Sequence, residues 1–258
     1  MRPLRSLLAG VFAPAVIASS LLAAPAMAQD EQLPHENWSF RHLFGTFDQA
    51  ALQRGFQVYA NVCSNCHSMQ YLHYRDLAGI GLTADQIKAV AAGVTVPQGT
   101  DDQGNPKDGP ATPADQFKSP FANEKAARAA NNGALPPDLS LIVNAREGGP
   151  DYVYGILTGF AQAPAGFKMQ DGMNYNTVFP GHQIAMPQPL SDGSVDYADK
   201  TPNTLPQEAH DVVTFLSWAA NPELVERKQI GVRVILFLVF MTGITYAVKR
   251  RLWANIEH

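Results

Sequence analysis

Cys63-Ser64-Asn65-Cys66-His67 is the stretch that decides the fold of this 258-residue chain. Its C-x-x-C-H spacing is typical of covalent haem attachment, in which both thiols add to the vinyl groups of the porphyrin. The imidazole of the following histidine then lies under the iron as the proximal axial ligand. The chain has no other cysteine, so the motif predicts one covalently attached haem c.

Two other uses of Cys63 and Cys66 have to be compared with haem attachment. A thioredoxin-like redox site places C-x-x-C beside a βαβ unit, and no such pattern surrounds these cysteines. A structural disulfide between cysteines this close in sequence closes almost no loop and therefore stabilises little. A thiol–disulfide enzyme or a haem-handling assembly factor is the alternative that lies outside electron transfer.

The segment that leads into the first cysteine has helical periodicity. Its apolar residues recur on one face over Thr46–Val62, and Thr46 and Gln49 have the spacing of a capping box. Gly55 lies inside this predicted helix, where glycine costs about 1 kcal/mol relative to alanine. We therefore expect another helix to approach closely at Gly55.

Two more helices and a long loop complete the predicted domain. Thr83 and Gln86 repeat the capping spacing before a short helix. Thr204 and Gln207 have the same spacing at the start of a helix over Thr204–Ala220, with Pro206 tolerated in the first turn. The wide apolar face of this helix is formed by Ala209, Val212, Val213, Phe215, Leu216 and Trp218. Residues Val96–Phe121 are rich in Gly and Pro and predict an exposed acidic loop. Because convincing strand alternation is absent, we expect a mainly α fold, a class I c-type cytochrome-like haem domain with long loops and one C-terminal transmembrane helix.

The N-terminus has the features of a secretory signal peptide. Arg2 and Arg5 precede an apolar run, and Ala26-Met27-Ala28 forms a small-x-small cleavage site. A first transmembrane helix is the alternative, but prolines interrupt the run and the cleavage site follows directly. We expect residues 1–28 to be removed, which places the mature N-terminus outside the cytoplasm.

A second apolar segment, Ile230–Val248, predicts a membrane anchor. It has 19 residues with Arg233 as its one charge, and at about 1.5 Å per residue it nearly spans a hydrocarbon core of about 30 Å. The basic run Lys249–Arg251 follows it and favours the cytoplasmic side. We expect residues 29–222 to form a periplasmic haem c domain, 223–248 a connector and transmembrane anchor, and 249–258 a cytoplasmic tail. The protein would cross a bacterial inner membrane once.

The exported part of the chain is acidic. Between Gln29 and Pro222 there are 20 Asp and Glu residues against 11 Lys and Arg residues, a formal charge of −9. This charge argues against nucleic acid as a partner. It favours a basic protein partner or serves solubility, and charge alone does not separate these two.

The second axial ligand is open from spacing alone. Two of the seven methionines lie in the predicted signal peptide and one lies in the predicted span, while Met69 is too near His67 along the chain to reach the opposite haem face. Candidates remain among three methionines and one histidine: Met169, Met173, Met186 and His182. Met186 lies in Ile184–Pro189, where prolines stiffen the backbone.

Several longer stretches of the sequence resemble the cytochrome c1 family, the haem subunits of the cytochrome bc1 complex. The resemblance covers nearly all of the predicted mature chain. The stretches that carry it, beside the cysteine motif, are Arg54–Tyr59, Ala126–Ser140, Asp151–Val153, Leu157–Gly159, Phe179–Gly181, Ile184–Pro187 and Trp218–Glu223. The loop over Val96–Phe121 matches no part of the family pattern.

The resemblance implies specific roles for residues of this chain. It implies that Met186 is the distal iron ligand, that Arg128 pairs with a haem propionate, and that Pro136 and Pro137 pack along the haem edge. It also implies a redox subunit that is not an enzyme on its own, taking electrons from the Rieske iron–sulfur protein and passing them to a soluble c-type cytochrome. The span would pack against cytochrome b in the lipid bilayer. A tethered cytochrome that feeds a terminal oxidase is the rival carrier.

Overall fold

The computed structural model describes residues 33–254. The predicted signal peptide, residues 1–28, and residues 255–258 of the predicted tail lie outside the described residues. Within them the helices are α1 (Gln49–Asn61), α2 (Ala84–Ala92), α3 (Glu124–Ala130), α4 (Gly149–Thr158), α5 (Leu205–Ala220) and α6 (Leu224–Trp253), with 3₁₀ turns at Cys63–Asn65, Tyr74–Ile80 and Pro180–His182. Two short hairpins pair β1 (Thr95–Thr100) with β2 (Pro106–Pro110), and β3 (Asn174–Tyr175) with β4 (Gln183–Ile184). The prediction of a mainly α fold is confirmed.

The packing of α1 against α5 forms the centre of the domain. The apolar residues predicted for the helix that is now α5 are all buried: Ala209, Val212, Val213, Phe215, Leu216 and Trp218. A Cβ atom added at Gly55 would lie 2.0 Å from the carbonyl oxygen of Asp211 and 2.8 Å from the Cβ of Phe215. The two helix backbones therefore meet at Gly55, as expected from the glycine.

A bidentate ion pair joins the same two helices. Arg54 donates from Nε to Oδ2 of Asp211 at 2.7 Å and from Nη2 to Oδ1 at 3.0 Å. Burial alone would raise the pKa of Asp211, but hydrogen bonds, including those from His210 and Arg54, outweigh it and hold the pKa below its ordinary value. The buried carboxylate is thus ionised and paired, as a charge in a protein interior must be.

Two of the three predicted helix starts need correction. Asp48, not Thr46, caps α1, and its carboxylate accepts from the backbone N–H groups of Ala50 and Ala51. The capping box of α2 is confirmed, with Thr83 as its N-cap. Asp48 rather than Thr46 is the N-cap because its carboxylate, one residue before the helix, accepts from two free backbone N–H groups at once.

The third helix start differs in a similar way. Thr204 is the N-cap of α5 by backbone conformation, but its side chain makes no capping bond. The carboxylate of Asp192 accepts from the backbone N–H of Leu205 at 2.7 Å instead. Gln207 donates to Asp211 within the helix. A residue distant in sequence therefore replaces the predicted capping box.

The prediction of a loop over Val96–Phe121 was wrong for the first half of this segment. There β1 and β2 form an antiparallel hairpin. The side chain of Asp101 organises the turn, since its Oδ1 accepts from the backbone N–H groups of Gln103 at 2.9 Å and Asn105 at 2.8 Å. Nearly every hairpin residue is exposed, which explains why no apolar alternation signals the strands. The prediction of exposure is confirmed for most of Val96–Phe121 but is wrong for Val96, Ala111 and Phe117, which are buried in the core.

Helix α6 is the candidate membrane span among the described residues. It has 30 residues, its most apolar stretch has a mean hydropathy of 1.9, and none of that stretch is buried within the chain. The helix begins before and continues beyond the predicted span Ile230–Val248. Near its end the ammonium group of Lys249 lies 5.5 Å from the ring centroid of Trp253, a pair suited to the membrane–water interface.

Candidate haem site

The two cysteines and the histidine of the motif lie on one tight turn directly after α1. The backbone N–H groups of Cys66 and His67 both donate to the carbonyl oxygen of Cys63, at 3.1 and 2.9 Å. Both thiols are free, Cys63 half-buried and Cys66 exposed. Burial raises the pKa of the Cys63 thiol to about 12. The turn therefore presents two thiols and an imidazole from five consecutive residues.

The imidazole of His67 is held by a residue far along the chain. Its Nδ1 lies 2.8 Å from the carbonyl oxygen of Pro137. Because a carbonyl only accepts, Nδ1 carries the proton and the lone pair is left on Nε2, the tautomer needed for a metal ligand. Burial lowers the pKa of His67, which also favours the neutral ring. The site thus holds the imidazole in a ligating form.

The carboxylate of Asp138 clamps the attachment segment to the segment that contains Pro137. Its Oδ2 accepts from Ser68 Oγ at 2.8 Å and from the backbone N–H of Gln70 at 2.9 Å, and its Oδ1 accepts from the backbone N–H of Ser140 at 2.8 Å. Burial would raise the pKa of Asp138, but these hydrogen bonds outweigh it and hold the pKa low. Sequence reasoning missed this residue, although it directly follows the paired prolines.

Replacing Asp138 with Asn should loosen this clamp. An amide keeps the size of the side chain but replaces one accepting oxygen with a donor, so at least one of the three donors loses its acceptor. We expect the free energy of unfolding to fall by about 1–3 kcal/mol, measured by denaturant titration followed through haem absorbance. Asp102→Asn removes the same charge at an exposed position and is the matched control. Equal stability of the two variants would show that the clamp contributes nothing.

The structure places the other residues implied by the resemblance on the segment that precedes the clamp. Arg128 lies exposed in the last turn of α3, and its Nη1 donates to the carbonyl of Gly133 at 3.1 Å. Pro136 is half-buried and Pro137 exposed. Pro137 therefore contacts the Cys63–His67 motif through the ring of His67, whereas Arg128 donates to its own loop.

Met186 lies just beyond the β3–β4 hairpin and is half-buried. Its backbone carbonyl accepts from the side-chain amide of Asn174 at 3.3 Å, which ties the residue back to β3. By contrast Met69, excluded by its closeness to His67, is fully buried in the hydrophobic core. The hairpin and its cross-link thus fix the backbone at the position where the proline-flanked methionine lies.

His182, the competing ligand, is engaged by its neighbours. Its ring stacks on Tyr175 with the ring centroids 5.5 Å apart and an angle of 21° between the planes. Its Nδ1 lies 3.2 Å from the backbone carbonyl oxygen of Asn176, and its backbone has a φ of +58°. The stacking holds the ring against the hairpin, but Nδ1 on a carbonyl leaves the Nε2 lone pair able to ligate, as in His67. These contacts therefore do not separate His182 from Met186 as the second ligand.

The residues present fit a large, flat, apolar group. Between positions 160 and 189 no hydrophobic side chain is fully buried. The large hydrophobic side chains of this segment that are half-buried include Phe167, Met169, Met173, Tyr175, Val178, Phe179, Ile184 and Met186. Half-buried apolar side chains in such number indicate a surface that a cofactor covers. With two thiols at haem-attachment spacing and a histidine in the ligating tautomer, this mainly helical fold defines the class of c-type cytochromes.

Comparison with known proteins narrows this class. The Cytochrome C1 family profile matches residues 38–256. "Cytochrome c1" of Rhodospirillum rubrum is 44% identical over 94% of this chain and 97% of its own length. The mitochondrial heme protein "Cytochrome c1" of Schizosaccharomyces pombe is also 44% identical, over 94% and 79% of the two chains. "Cytochrome b/c1" of Bradyrhizobium diazoefficiens is 43% identical over 95% of this chain and 39% of its own.

The chain belongs to the cytochrome c1 family. Members of this family are the haem-bearing electron-transfer subunits of the cytochrome bc1 complex. The chain is accordingly a redox subunit and not an enzyme on its own.

Proposed function

We propose that this chain holds one haem c through thioether bonds from Cys63 and Cys66, with His67 and Met186 as the axial iron ligands. It takes single electrons from a Rieske iron–sulfur protein and passes them to a soluble c-type cytochrome. The observation that carries this proposal is the hydrogen bond from His67 Nδ1 to the carbonyl of Pro137. That bond fixes the ligating tautomer on the same turn that presents both thiols.

The haem supplies a one-electron couple when it is bound. The protein's own residues set its surroundings. The carbonyl oxygen of Pro137 accepts a hydrogen bond from Nδ1–H of His67, which orients the ring and makes Nε2 a stronger electron-pair donor. Asp138 keeps the two segments in register through its hydrogen bonds to Ser68, Gln70 and Ser140. A methionine at the second axial position raises the potential, which suits a carrier late in an electron-transport chain.

Arg128 and the paired prolines complete the proposed site. We assign Arg128 to a haem propionate, since its exposed guanidinium already folds over the loop that leads to Pro136. One of its donors is used on the carbonyl of Gly133, and a guanidinium has others to offer an anion. Pro136 and Pro137 would pack along the haem edge, which the contact of Pro137 with His67 supports.

The proposed location follows from the two ends of the chain. Residues 1–28 would be removed as a signal peptide, residues 29–222 would form the periplasmic haem domain, and residues 249–258 would lie in the cytoplasm. Residues 223–248 would anchor the protein in the inner membrane, with cytochrome b packed against the exposed apolar surface of α6. The fused name "Cytochrome b/c1" of the Bradyrhizobium relative supports that neighbour. Co-purification with cytochrome b separates this proposal from a tethered cytochrome that feeds a terminal oxidase.

Electron transfer to a basic soluble cytochrome should slow as salt is added. The proposed periplasmic domain has a formal charge of −9, and attraction between exposed charges is screened over about 10 Å at 0.1 M salt. We expect the second-order rate constant to fall about tenfold or more between low and physiological ionic strength, measured by stopped-flow mixing. A small uncharged oxidant is the control and should show no such dependence. A rate constant that is independent of salt would rule out electrostatic docking.

A further inference from the structure

The turn between Phe40 and Phe47 presents two apolar side chains to solvent, while the phenylalanines at its two ends pack in or against the core. Phe40 is buried, and its ring centroid lies 4.8 Å from that of Phe47 and 5.7 Å from that of Trp38. At the apex Leu43 is 61% exposed and Phe44 is 80% exposed. Phe44 is thus more exposed than any large hydrophobic side chain of the described part of α6, where the highest value is 68%. Such a pair on a folded domain indicates a contact surface.

The exposure of this pair is built into a tight turn. The backbone N–H of Gly45 donates to the carbonyl of His42 at 2.9 Å. A Cβ atom added at Gly45 would lie 2.4 Å from the carbonyl oxygen of Ser39. The backbone at Gly45 therefore approaches the backbone at Ser39 more closely than a residue with a Cβ atom would allow. The core packing of the two flanking phenylalanines fixes both ends. Because the backbone of the turn is fixed in this way, Leu43 and Phe44 project into solvent at its apex.

Helix α6 binds this turn directly at the start of its apolar segment. The ammonium group of Lys228 donates to the carbonyl of Phe40 at 2.5 Å and to the carbonyl of His42 at 2.7 Å. Lys228 precedes Ile230, the first residue of the apolar segment, by two positions, or about 3 Å along the helix axis. The turn therefore lies at the level where α6 passes from the haem domain into its apolar segment.

The charges at this level suit phospholipid headgroups. Residues 40–47 contain no carboxylate, and their ionisable side chains are His42 and Arg41, whose guanidinium pairs with the carboxylate of Asp151. On α6, Arg227, Lys228 and Arg233 lie near this level together with Glu226 and, at the N-cap, Glu223. Cationic side chains beside two exposed apolar ones, next to an apolar helix, are a pattern of proteins that bind the membrane interface.

We infer that Leu43 and Phe44 insert into the phospholipid interface and form a second membrane contact beside α6. The inference rests on the proposed membrane orientation of α6. Two contacts, joined by the hydrogen bonds of Lys228, would prevent the haem domain from pivoting on a single helix. They would thereby hold the haem at a fixed height and tilt above the bilayer.

The test uses spin labels in the whole complex, reconstituted into phospholipid vesicles. A nitroxide on Phe44→Cys reports collisions with oxygen, which concentrates in lipid, and with a water-soluble nickel chelate. Ile235→Cys in the apolar segment is the lipid control, and Asp102→Cys in the exposed β1–β2 turn is the aqueous control. Cys63 and Cys66 are consumed by thioether bonds, and the labelled unsubstituted complex gives the background. Haem spectrum and turnover verify that each variant is intact.

We expect the oxygen-to-nickel collision ratio at Phe44 to shift from the value at Asp102 toward the value at Ile235. A ratio equal to that at Asp102 places the turn in water and overturns the inference. Low collision rates with both reagents mean that a partner subunit covers the turn, which also overturns it. If the Ile235 probe is itself aqueous, the membrane anchor fails as well, so the failure of the proposed location is distinguished from that of the turn.

Discussion

Met186→Leu is expected to leave the haem attached to the chain while the iron loses its second axial ligand. Leucine has a similar apolar volume, and exchanges of this kind usually cost less than about 1.5 kcal/mol, so the half-buried site should still fold. The thioether bonds need Cys63 and Cys66, with His67 on the proximal side, and none of these is altered. The loss of the sulfur ligand should lower the haem potential.

The measurements are a redox titration and a near-infrared spectrum of the oxidised protein. The unsubstituted protein should show the weak charge-transfer band of methionine–iron ligation, and Met186→Leu should lose it. With the lower potential, turnover of the complex should collapse. Met169→Leu and Met173→Leu are matched controls, since both methionines are half-buried in the same segment, and both should keep band and potential. If Met186→Leu retains band and potential, the assignment to Met186 is wrong and another methionine is the ligand. If the unsubstituted protein already lacks the band, the assignment passes to His182.

Gly55→Ala is expected to destabilise the domain strongly, because the added methyl group enters the contact between α1 and α5. The new Cβ would lie 2.0 Å from the carbonyl oxygen of Asp211, and that oxygen belongs to the backbone of a buried helix and has no room to move. Overpacking a core costs about 1–3 kcal/mol and occasionally more, and this overlap belongs at the upper end of that range or above it. The separation of α1 from α5 would also weaken the ion pair of Arg54 with Asp211.

Thermal unfolding and haem content per chain measure this effect. Gly93→Ala is the matched control, because the nearest atoms to its new Cβ lie at 3.4 and 3.7 Å, and its φ of −72° suits alanine. We expect the control to unfold near the temperature of the unsubstituted protein, while Gly55→Ala accumulates poorly or unfolds well below it. Equal unfolding temperatures would show that α1 and α5 do not meet at Gly55.

Much of the helical frame could be predicted because its signals are local. The capping box at Thr83 and the apolar face of α5 are properties of neighbouring residues, and both are confirmed. The close approach of another helix at Gly55 could be predicted because glycine destabilises a helix interior and is therefore expected there only where close packing requires it. Signals that depend on distant residues were missed, such as the cap that Asp192 supplies to α5. The β1–β2 hairpin was missed because exposed strands carry no apolar alternation.

The candidate site also has a part that could be predicted from local sequence and a part that could not. The motif Cys63–His67 is contiguous, so the attachment turn could be predicted from the sequence. The acceptor for the His67 ring lies 70 positions further along the chain, and no local pattern gives that pairing. Asp138 acts through hydrogen bonds to residues equally distant. A carboxylate after two prolines is most simply interpreted as a turn residue until the fold brings these segments together.

The retention of haem through acid–acetone extraction tests the central claim most directly. The purified full chain should keep one haem per polypeptide after extraction, because thioether bonds to Cys63 and Cys66 survive a treatment that removes haem held by coordination alone. Its pyridine haemochrome spectrum should be that of a porphyrin whose two vinyl groups are saturated. Haem that passes into the acetone phase, or a spectrum with both vinyl groups intact, would contradict the account.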